Sequence, residues 1–378
     1  MKIEQRYWTE NEGWRQEGAG RVGEAAQWVL VFGAPDCLAR REQLDAIRAA
    51  FPHALITGCS TAGEICGTRV RDDSLAVTAV QFEDTRLELV VTVLDESGSY
   101  GAGKTLANSL DGAGLRHVLV LSDGLQVNGS ELVKGLRDHL PAGVAATGGL
   151  AGDGSRFQNT LVWADGEPAP GRIAALGFYG ERIRVGYGSL GGWDSFGPER
   201  LITRSSGNVL YELDGQSALA LYKSYLGEHA AGLPSTALLF PLALRLDGGG
   251  YSVVRTVLAV NEADNSMTFA GDLPEGAHAR LMKANFDRLI DGASEAAQAG
   301  YATLGSTSPE LAVLISCVGR KLVLRQRIEE EVEGVREVLG ARTALTGFYS
   351  YGEICPHDAI THCELHNQTM TITTFSEN

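Results

Sequence analysis

The sequence predicts an α/β protein of two mixed-sheet domains, built from repeated βαβ-type units with glycine-rich loops at the strand ends. Three stretches share the order Thr-Gly, a short spacer, Gly and an acidic residue: residues 57–65, 147–153 and 346–354. Each stretch follows an apolar run, a helix-like segment and a second, shorter apolar run. One pattern in three places indicates that a single supersecondary unit is used three times.

The three units are placed on the chain by their apolar periodicity. Their first strands are predicted at residues 28–32, 118–121 and 312–315, their helices at residues 38–51, 130–140 and 326–339, and their second strands at residues 54–56, 144–146 and 343–345. About 28 to 33 residues separate each first strand from its Thr-Gly pair, which is the size of a βαβ unit. Each loop is therefore expected at the carboxyl end of a buried parallel strand, where open α/β sheets bind ligands.

The remaining segments complete the two predicted domains. Residues 1–27 are predicted to form a loose N-terminal arm, followed by domains over residues 28–215 and 216–378. Short β-like segments of the first domain lie at residues 74–82, 87–94, 158–164, 171–179, 183–187 and 209–214. The second domain is predicted to have helices at residues 216–226 and 277–299 and strands at residues 237–246, 251–260 and 365–375.

Charge and cysteine usage exclude several classes of protein. The 378-residue chain has a formal net charge of −15, which argues against nucleic acid or an anionic membrane as the main partner, because both attract basic patches. No apolar run approaches the roughly 20 residues of a spanning helix, and residues 1–20 lack the apolar core of a signal peptide. The six cysteines contain no C-x-x-C pair and outline no disulfide framework. We therefore expect a cytoplasmic protein without membrane insertion.

Residues 98–105 fit the phosphate-binding pattern G-x-x-x-x-G-K-[ST]. In a P-loop, backbone amides would cradle phosphates, Lys104 would reach them and Thr105 would hold Mg²⁺. The helix expected after the pattern has only about two turns before Asp111, which is short for a helix that crosses a sheet. A nucleotide-hydrolysing enzyme that uses Lys104 and Thr105 is thus one hypothesis, and a glycine-rich loop that caps a short helix is the other.

The three glycine-rich loops are candidate binding sites for a small polar ligand. Backbone amides would donate to the ligand, Glu64, Asp153 and Glu353 would accept from it, and Tyr349 and Tyr351 would form a wall. The other candidate contacts in the loops are Gly58, Cys59, Ser60, Gly63, Gly148, Gly149 and Gly352. The alternative interpretation is that the glycines permit tight turns and each acidic side chain caps neighbouring backbone.

Soft ligands for a metal are concentrated after the third loop. The candidates are Cys355, His357, His362 and His366, with Cys363 between them. A Cys-Pro thiolate or an imidazole can ligate haem iron. Strand alternation places His366 on the opposite face from Cys363, which argues against one compact zinc site. The alternative is a cluster of partly buried polar side chains near the end of a sheet.

Six blocks of the chain, in order, resemble the FIST proteins, whose name stands for F-box and intracellular signal transduction. The blocks are residues 57–64, 147–153, 211–215, 316–324, 347–354 and 365–371. The resemblance runs from about residue 28 to the end and covers a FIST N and a FIST C domain. It implies a cytoplasmic sensory module, not an enzyme, that binds a small ligand and acts on a signalling enzyme.

The resemblance leaves the ligand open. One stand-alone branch of the family carries haem, senses nitric oxide and regulates a histidine kinase. Amino acids have also been proposed as ligands of the family, so an amino-acid or polar-metabolite sensor without haem is the alternative. The implied partner in trans is a histidine kinase or a cyclic-di-nucleotide signalling enzyme. An interaction scaffold without any ligand is a further hypothesis.

Overall fold

Within the described residues, the fold repeats one pattern of strands in three sheets and adds a fourth sheet in the second half of the chain. The computed structural model describes residues 1–245, 252–305, 307–356 and 363–377. Helices cover the sheets, which contain both parallel and antiparallel pairs. The predicted α/β class with mixed sheets is therefore confirmed.

The strands, in chain order, are β1 (Lys2–Thr9), β2 (Gly13–Glu17), β3 (Trp28–Gly33), β4 (Leu55–Ser60), β5 (Glu64–Cys66), β6 (Arg69–Arg71), β7 (Ser74–Gln81), β8 (Arg86–Val93), β9 (Leu115–Ser122), β10 (Ala145–Leu150), β11 (Val162–Ala164), β12 (Arg172–Tyr179), β13 (Ile183–Leu190), β14 (Asp194–Ser206), β15 (Val209–Leu213), β16 (Gln216–Ser217), β17 (Leu242–Arg245), β18 (Ser252–Arg255), β19 (Val257–Asn261), β20 (Ser266–Phe269), β21 (His278–Lys283), β22 (Leu311–Cys317), β23 (Ala344–Ser350), β24 (Gly352–Pro356), β25 (Cys363–His366) and β26 (Met370–Glu377). The α-helices are α1 (Pro35–Leu38), α2 (Arg41–Ala50), α3 (Gly98–Ser109), α4 (Gly129–His139), α5 (Ala218–Leu226), α6 (Phe286–Thr303), α7 (Val318–Leu324) and α8 (Ile328–Leu339). Of the helices in the described part of the chain, none is long and apolar enough to cross a lipid bilayer.

The first three sheets share an order of five strands, to which sheet 1 adds β2 at one edge and sheets 2 and 3 add β25 and β6 at the other edge. Sheet 1 runs β11-β4-β3-β7-β1-β2, sheet 2 runs β25-β24-β10-β9-β12-β8, and sheet 3 runs β6-β5-β23-β22-β26-β13. Each contains one parallel pair, namely β3 with β4, β9 with β10, or β22 with β23. These pairs are the predicted βαβ units, and α2, α4 and α8 are their crossover helices.

A short strand after each glycine-rich loop leaves its own unit and joins another sheet. Strand β5 follows β4 of sheet 1 but pairs with β23 of sheet 3. Strand β24 follows β23 but pairs with β10 of sheet 2, and β11 follows β10 but pairs with β4 of sheet 1. The exchange is cyclic, so no unit can complete its sheet alone.

Backbone hydrogen bonds join the three loops directly. The amide of Ala62 donates to Tyr349 O over 2.8 Å, and the amide of Tyr349 donates to Gly63 O over 2.9 Å. The amide of Tyr351 donates to Leu150 O over 3.1 Å, and the amide of Gly152 donates to Ser60 O over 2.9 Å. The three loops therefore meet at one place and satisfy much of one another's backbone.

The glycine of each Thr-Gly pair lies against the neighbouring parallel strand. A Cβ atom at Gly58, Gly148 or Gly347 would overlap the carbonyl oxygen of Val31, Val120 or Leu314 respectively. Glycine is needed at these positions because the backbones approach too closely for any side chain. The repeated Thr-Gly pattern thus has a packing cause.

The inner faces of the three sheets share one apolar core. Alternation along β3 turns Trp28, Leu30 and Phe32 inward and Val29 and Val31 toward the outer layer. Inside, the ring of Phe178 lies 5.2 Å from that of Trp28 and 5.0 Å from that of Phe375, so one aromatic group from each sheet meets in the core. Full burial of each such side chain stabilises the fold by about 2 to 3 kcal/mol.

The fourth sheet is inserted between β13 and β22. Sheet 4 runs β18-β17-β21-β14-β15-β20-β19, with β16 on β15, and every pairing in it is antiparallel. Helix α5 covers it, capped by Ser217, whose hydroxyl accepts from the amide of Ala220. Gly215 lies in the turn between β15 and β16, so sheet 4 takes strands from both sides of the predicted boundary. That boundary stays a prediction.

Two of the local predictions that were wrong concern segments that form strands of the sheets. The N-terminal arm is not loose, because β1 pairs along its full length with β7, and Gln5 Nε2 donates to Leu345 O of sheet 3 over 2.9 Å. The helix predicted over residues 277–299 begins only at Phe286, because residues 278–283 form β21 in the middle of sheet 4. In both places, burial in a sheet overrides the weak helical or polar pattern.

We expect the Gly347→Ala variant to be destabilised by about 3 kcal/mol or more, because the new methyl group has no space beside Leu314 O. The matched control is Gly166→Ala, where the nearest atoms to a new Cβ lie 3.9 Å away. Urea unfolding measures both variants. Equal stability of the two variants would contradict a packing role for the Thr-Gly glycine.

Candidate functional site

Two of the three loop acids are buried caps of neighbouring backbone. Glu64 accepts from the hydroxyl of Thr61 and, over 3.2 Å, from the amide of Ser74. Glu353 accepts from the hydroxyl of Ser350 over 2.6 Å and from the amide of Thr369 over 3.3 Å. Each of the two carboxyl groups thus accepts from the hydroxyl of the residue three positions earlier. Each also accepts from an amide at or directly before a later antiparallel strand, β7 or β26.

The third loop acid, Asp153, caps the backbone of the segment that follows it in the chain. Asp153 accepts from the amides of Phe157, Gln158 and Asn159 over 2.8, 2.8 and 2.9 Å. It also accepts from the hydroxyl of Tyr351, which donates across from the third loop. Asp153 therefore fixes the segment after β10 to the loop after β23.

The pKa values of the three acids are shifted in different directions. Loss of solvent raises the pKa of Glu64 to about 7 and that of Glu353 to about 8, although hydroxyl donors oppose the shift. Burial also acts to raise the pKa of Asp153, but hydrogen bonds from Tyr351 and three backbone amides outweigh it and leave that pKa below its usual value. Glu64 and Glu353 are thus proton-binding groups of the folded state near neutral pH.

Two cavities flank the point where the loops meet. The apolar cavity has a volume of about 390 Å³ and is lined by Gly124, Leu125, Gln126, Val127, Asn128, Gly129, Leu150, Phe157, Asn208, Leu238, Thr256, Leu258, Phe269, Ala270, Gly271, Cys317, Val318, Gly319 and Tyr351. The polar cavity has a volume of about 380 Å³ and is lined by Ala34, Thr61, Ala62, Gly63, Glu64, Asp72, Asp73, Asp153, Gly154, Ser155, Arg156, Val318, Lys321 and Leu322. Val318 at the start of α7 lines both.

The structure divides the predicted ligand-binding residues into three groups. Gly63, Glu64 and Asp153 line the polar cavity, and Tyr351 lines the apolar cavity. The remaining predicted residues are buried in the sheets or in the junction and line neither cavity: Gly58, Cys59, Ser60, Gly148, Gly149, Tyr349, Gly352 and Glu353. The hydroxyl of Tyr349, for example, donates to Glu331 over 2.7 Å, and Glu331 forms a buried ion pair with Arg320.

The apolar cavity lies between the body of the protein and sheet 4. Its floor comes from the carboxyl ends of parallel strands, at Leu150 of β10 and Cys317 of β22. Its cover comes from sheet 4 and the adjoining turns, between Asn208 and Gly271. This is the position at which open α/β sheets bind ligands, and sheet 4 covers it here.

Polar contacts hold sheet 4 over the apolar cavity. Asn128 Nδ2 donates to the carboxylate of Asp272 over 3.2 Å, and the amide of Asp272 donates to Ser130 Oγ over 3.3 Å. The buried guanidinium of Arg255 donates to the carbonyl oxygens of Leu365 and Asp272 over 2.9 and 3.1 Å. These contacts link β18 and the turn after β20 to both α4 and β25.

An aromatic pair separates the two cavities. The rings of Phe157 and Tyr351 are stacked with centroids 4.5 Å apart, and both line the apolar cavity. The hydroxyl of Tyr351 reaches Asp153, which lines the polar cavity. Phe157 is 46% exposed, so this wall is open to solvent on one side.

The polar cavity contains both signs of charge. Lys321 donates to Ala62 O over 2.7 Å and forms an ion pair with Asp72. Arg156 donates to Asp153 O over 2.9 Å and pairs with the exposed Asp36 at 3.3 Å. The cations of this cavity are therefore already held by protein acceptors.

The predicted haem ligands do not form a site in the described part of the chain. His366 Nε2 contacts Cys355 O at 3.0 Å between paired strands, and burial holds the pKa of the Cys355 thiol far above its usual value. Neither residue lines the apolar or the polar cavity. These two side chains therefore do not fit as axial haem ligands. His357 and His362 lie outside the described residues, and no group of metal ligands is found among the described ones.

The P-loop hypothesis was wrong about local structure. Residues 98–105 lie inside α3, so they form no phosphate-cradling loop, and Lys104 and Thr105 are exposed on its surface. A Cβ at Gly103 would overlap the carbonyl oxygen of Leu132 on α4. The glycine of the pattern therefore serves close packing of two helices.

The residues that cover the apolar cavity gave no signal in the sequence. Thr256, Leu258 and Phe269 lie in short strands and turns of sheet 4 that carry no motif. Only the position of the cavity, at the ends of the predicted parallel strands, follows from the repeats.

We expect the stability of the protein to fall as the pH rises from about 5 to about 8, because unfolding in that range releases the proton that Glu353 binds in the folded state. The folded-state pKa of about 8 exceeds the 4.5 of a free glutamate, so this contribution is complete below pH 4.5 and is lost as the pH passes 8. The slope is about 1.4 kcal/mol per pH unit for each such group.

The Glu353→Gln variant should flatten this slope, as measured by urea unfolding at several pH values. The matched control is Asp153→Asn, which should lower stability but leave the slope unchanged, because the lowered pKa of Asp153 keeps that group ionised throughout this range. A wild-type slope in Glu353→Gln would contradict the assignment.

Comparison with known proteins identifies the family. Residues 27–216 match the FIST N domain and residues 218–356 match the FIST C domain. No curated protein is a significant match to the sequence. Among solved structures, a chorismatase aligns with 10% identity and a TM-score of 0.32, over 99% of this chain and 98% of that chain. A cyanuric acid hydrolase from A. caulinodans aligns with 10% identity and a TM-score of 0.18, over 78% of this chain and 99% of that chain.

At these TM-scores the structural likenesses carry no argument about this chain. The two domain matches together cover most of the sequence, in the order that the resemblance to the family implies. FIST domains are generally sensory modules that bind small ligands in signal transduction, rather than catalysts. The chain belongs to the FIST family, with a FIST N domain followed by a FIST C domain.

Proposed function

We propose that this protein is a cytoplasmic sensor that binds its small ligand in the apolar cavity. The observation that carries the proposal is the placement of this cavity at the carboxyl ends of parallel strands, beneath sheet 4. Its volume of about 390 Å³ lies in the usual range for small-molecule sites. A ligand there would touch the FIST N segment 124–157 and the FIST C segments 256–271 and 317–319 at once.

A ligand in the apolar cavity can change the position of sheet 4 relative to the body of the protein. Sheet 4 is held to the body across the cavity by Asn128, Ser130 and Arg255. A ligand that bridges floor and cover would favour the closed arrangement over more open ones by its differential affinity for the two. We propose that a signalling enzyme in trans, such as a histidine kinase or a cyclic-di-nucleotide enzyme, recognises the closed arrangement.

Haem is not part of this proposal, because Cys355 and His366 do not fit as its ligands and no histidine among the described residues lines either cavity.

A second candidate is an amino-acid sensor that uses the polar cavity. The observation in its favour is the presence there of Lys321 and Arg156 beside Asp72 and Asp73. Loss of ligand binding in Lys321→Ala, with binding retained in variants of the apolar cavity, would select this second candidate.

We expect the Ala270→Trp variant, which fills the apolar cavity, to lose ligand binding, because the indole occupies the space of the ligand. The matched control is Ala263→Trp, at an exposed position in the turn between β19 and β20. A thermal-shift screen against a metabolite library measures both. A ligand present at about 100 times its Kd stabilises the protein by about 2.7 kcal/mol, which is a shift of several degrees. An equal shift in Ala270→Trp and in the control would contradict this location of the site.

A further inference from the structure

We infer that the ligand of the apolar cavity is an uncharged, mainly apolar molecule with a hydrogen-bonding group that pairs with the hydroxyl of Thr256. This inference rests on the proposed function and specifies the chemistry of its ligand. A free amino acid does not match this chemistry, because its ammonium and carboxylate groups both need partners.

The first observation is the absence of charge from the cavity wall. Among the described residues that line it, none is Asp, Glu, Lys, Arg or His. The wall consists of aliphatic and aromatic side chains, uncharged polar side chains and glycines. A charged ligand would lose part of its hydration there without gaining an opposite charge, and that loss is unfavourable.

The second observation concerns the backbone at the start of α4, where a carboxylate ligand would otherwise find donors. The amides of Leu125 and Gln126 donate to Asp123 over 2.9 and 2.7 Å, and the amide of Gly124 donates to Thr160 Oγ1 over 3.1 Å. The amide of Asn128 donates to Ser99 Oγ over 2.9 Å. These four amides, which precede the first residue of α4, are already paired inside the protein and are not free to bind a carboxylate.

The guanidinium of Arg255, which precedes Thr256 in the chain, is also paired inside the protein. Arg255 does not line the cavity, and it donates to the carbonyl oxygens of Val254, Leu365 and Asp272. To meet a ligand carboxylate, its guanidinium would have to leave the contact that holds sheet 4 to β25. The role of Arg255 is therefore to hold the cover in place.

The third observation is an unpaired hydroxyl in the wall. Thr256 is only 5% exposed, and its Oγ1 has no hydrogen-bond partner within the described part of the chain. A buried hydroxyl without a partner destabilises the free protein, and a ligand group that bonds to it removes that cost. No other residue lining the cavity has such a buried unpaired side-chain atom among those described.

The wall also indicates the shape of the ligand. Phe157, Tyr351 and Phe269 place aromatic rings around the cavity, and Leu150, Val127 and Leu258 add aliphatic surface. A flat ring system or a short hydrocarbon chain that carries one hydroxyl or carbonyl group matches this lining.

The experiment measures binding of paired probes by calorimetry and ligand-observed NMR. The neutral probes are tryptophol and 3-phenylpropanol, and their charged counterparts are tryptophan and phenylalanine. We expect the neutral probes to bind saturably and the amino acids to bind at least about tenfold more weakly, a difference of about 1.4 kcal/mol. Equal or tighter binding of the amino acids would overturn the inference.

Two variants at one position test the role of the hydroxyl. Thr256→Val should raise the melting temperature of the free protein, because it removes the unpaired group, and should weaken binding of the neutral probes about tenfold. Thr256→Ser keeps the hydroxyl and should bind within a few-fold of the wild type. Wild-type binding by Thr256→Val would overturn the pairing with Thr256.

The Ala270→Trp variant separates the two levels of the proposal. If amino acids bind and this variant abolishes their binding, the apolar cavity is the site but its ligand is charged, so only the present inference fails. If no probe binds in a way that Ala270→Trp abolishes, the proposed site and this inference both fail.

Discussion

The close approach of backbone at the three Thr-Gly pairs is the constraint on which the rest of the fold depends. Gly58, Gly148 and Gly347 let each second strand lie against its parallel partner with no room for a side chain. From there the chain crosses to another sheet, so β5, β11 and β24 close a cycle of exchanged strands. Because every sheet needs a strand from another unit, the three units are expected to fold as one cooperative body.

This constraint also decides where a ligand can bind. At the junction, loop amides donate to carbonyl oxygens of the other loops, and the carboxylates of Glu64 and Glu353 accept from neighbouring protein groups, so little hydrogen-bonding capacity remains. Two cavities lie beside the junction, the apolar and the polar cavity. Sheet 4, which has no counterpart in the repeated sheets, breaks the repetition and covers the apolar cavity. The proposed ligand site is thus formed with the element that departs from the repeat.

The repeats, their parallel strands and their crossover helices could be predicted from the sequence, because each is encoded by local periodicity and by glycines at fixed places. The strand exchange could not be predicted, since β5 and β23 are far apart in the chain and nothing local specifies their pairing. The role of the acids could not be predicted for the same reason. Glu64 is a cap because it accepts from Ser74, a residue outside the motif. Thr256 could not be found at all, as its importance comes from a missing partner in three dimensions.

Amide hydrogen exchange, read by mass spectrometry with and without a small-molecule cell extract, tests the central claim most directly. We expect the junction amides of Ala62, Gly152 and Tyr349 to exchange only through global unfolding, whether or not the extract is present. Exchange should become slower on addition of the extract in residues 124–129, 256–258 and 269–271, and no such change should occur in Ala270→Trp. Fast exchange at the junction that the extract slows would instead show that the glycine-rich loops themselves bind the ligand, and would contradict the proposed site.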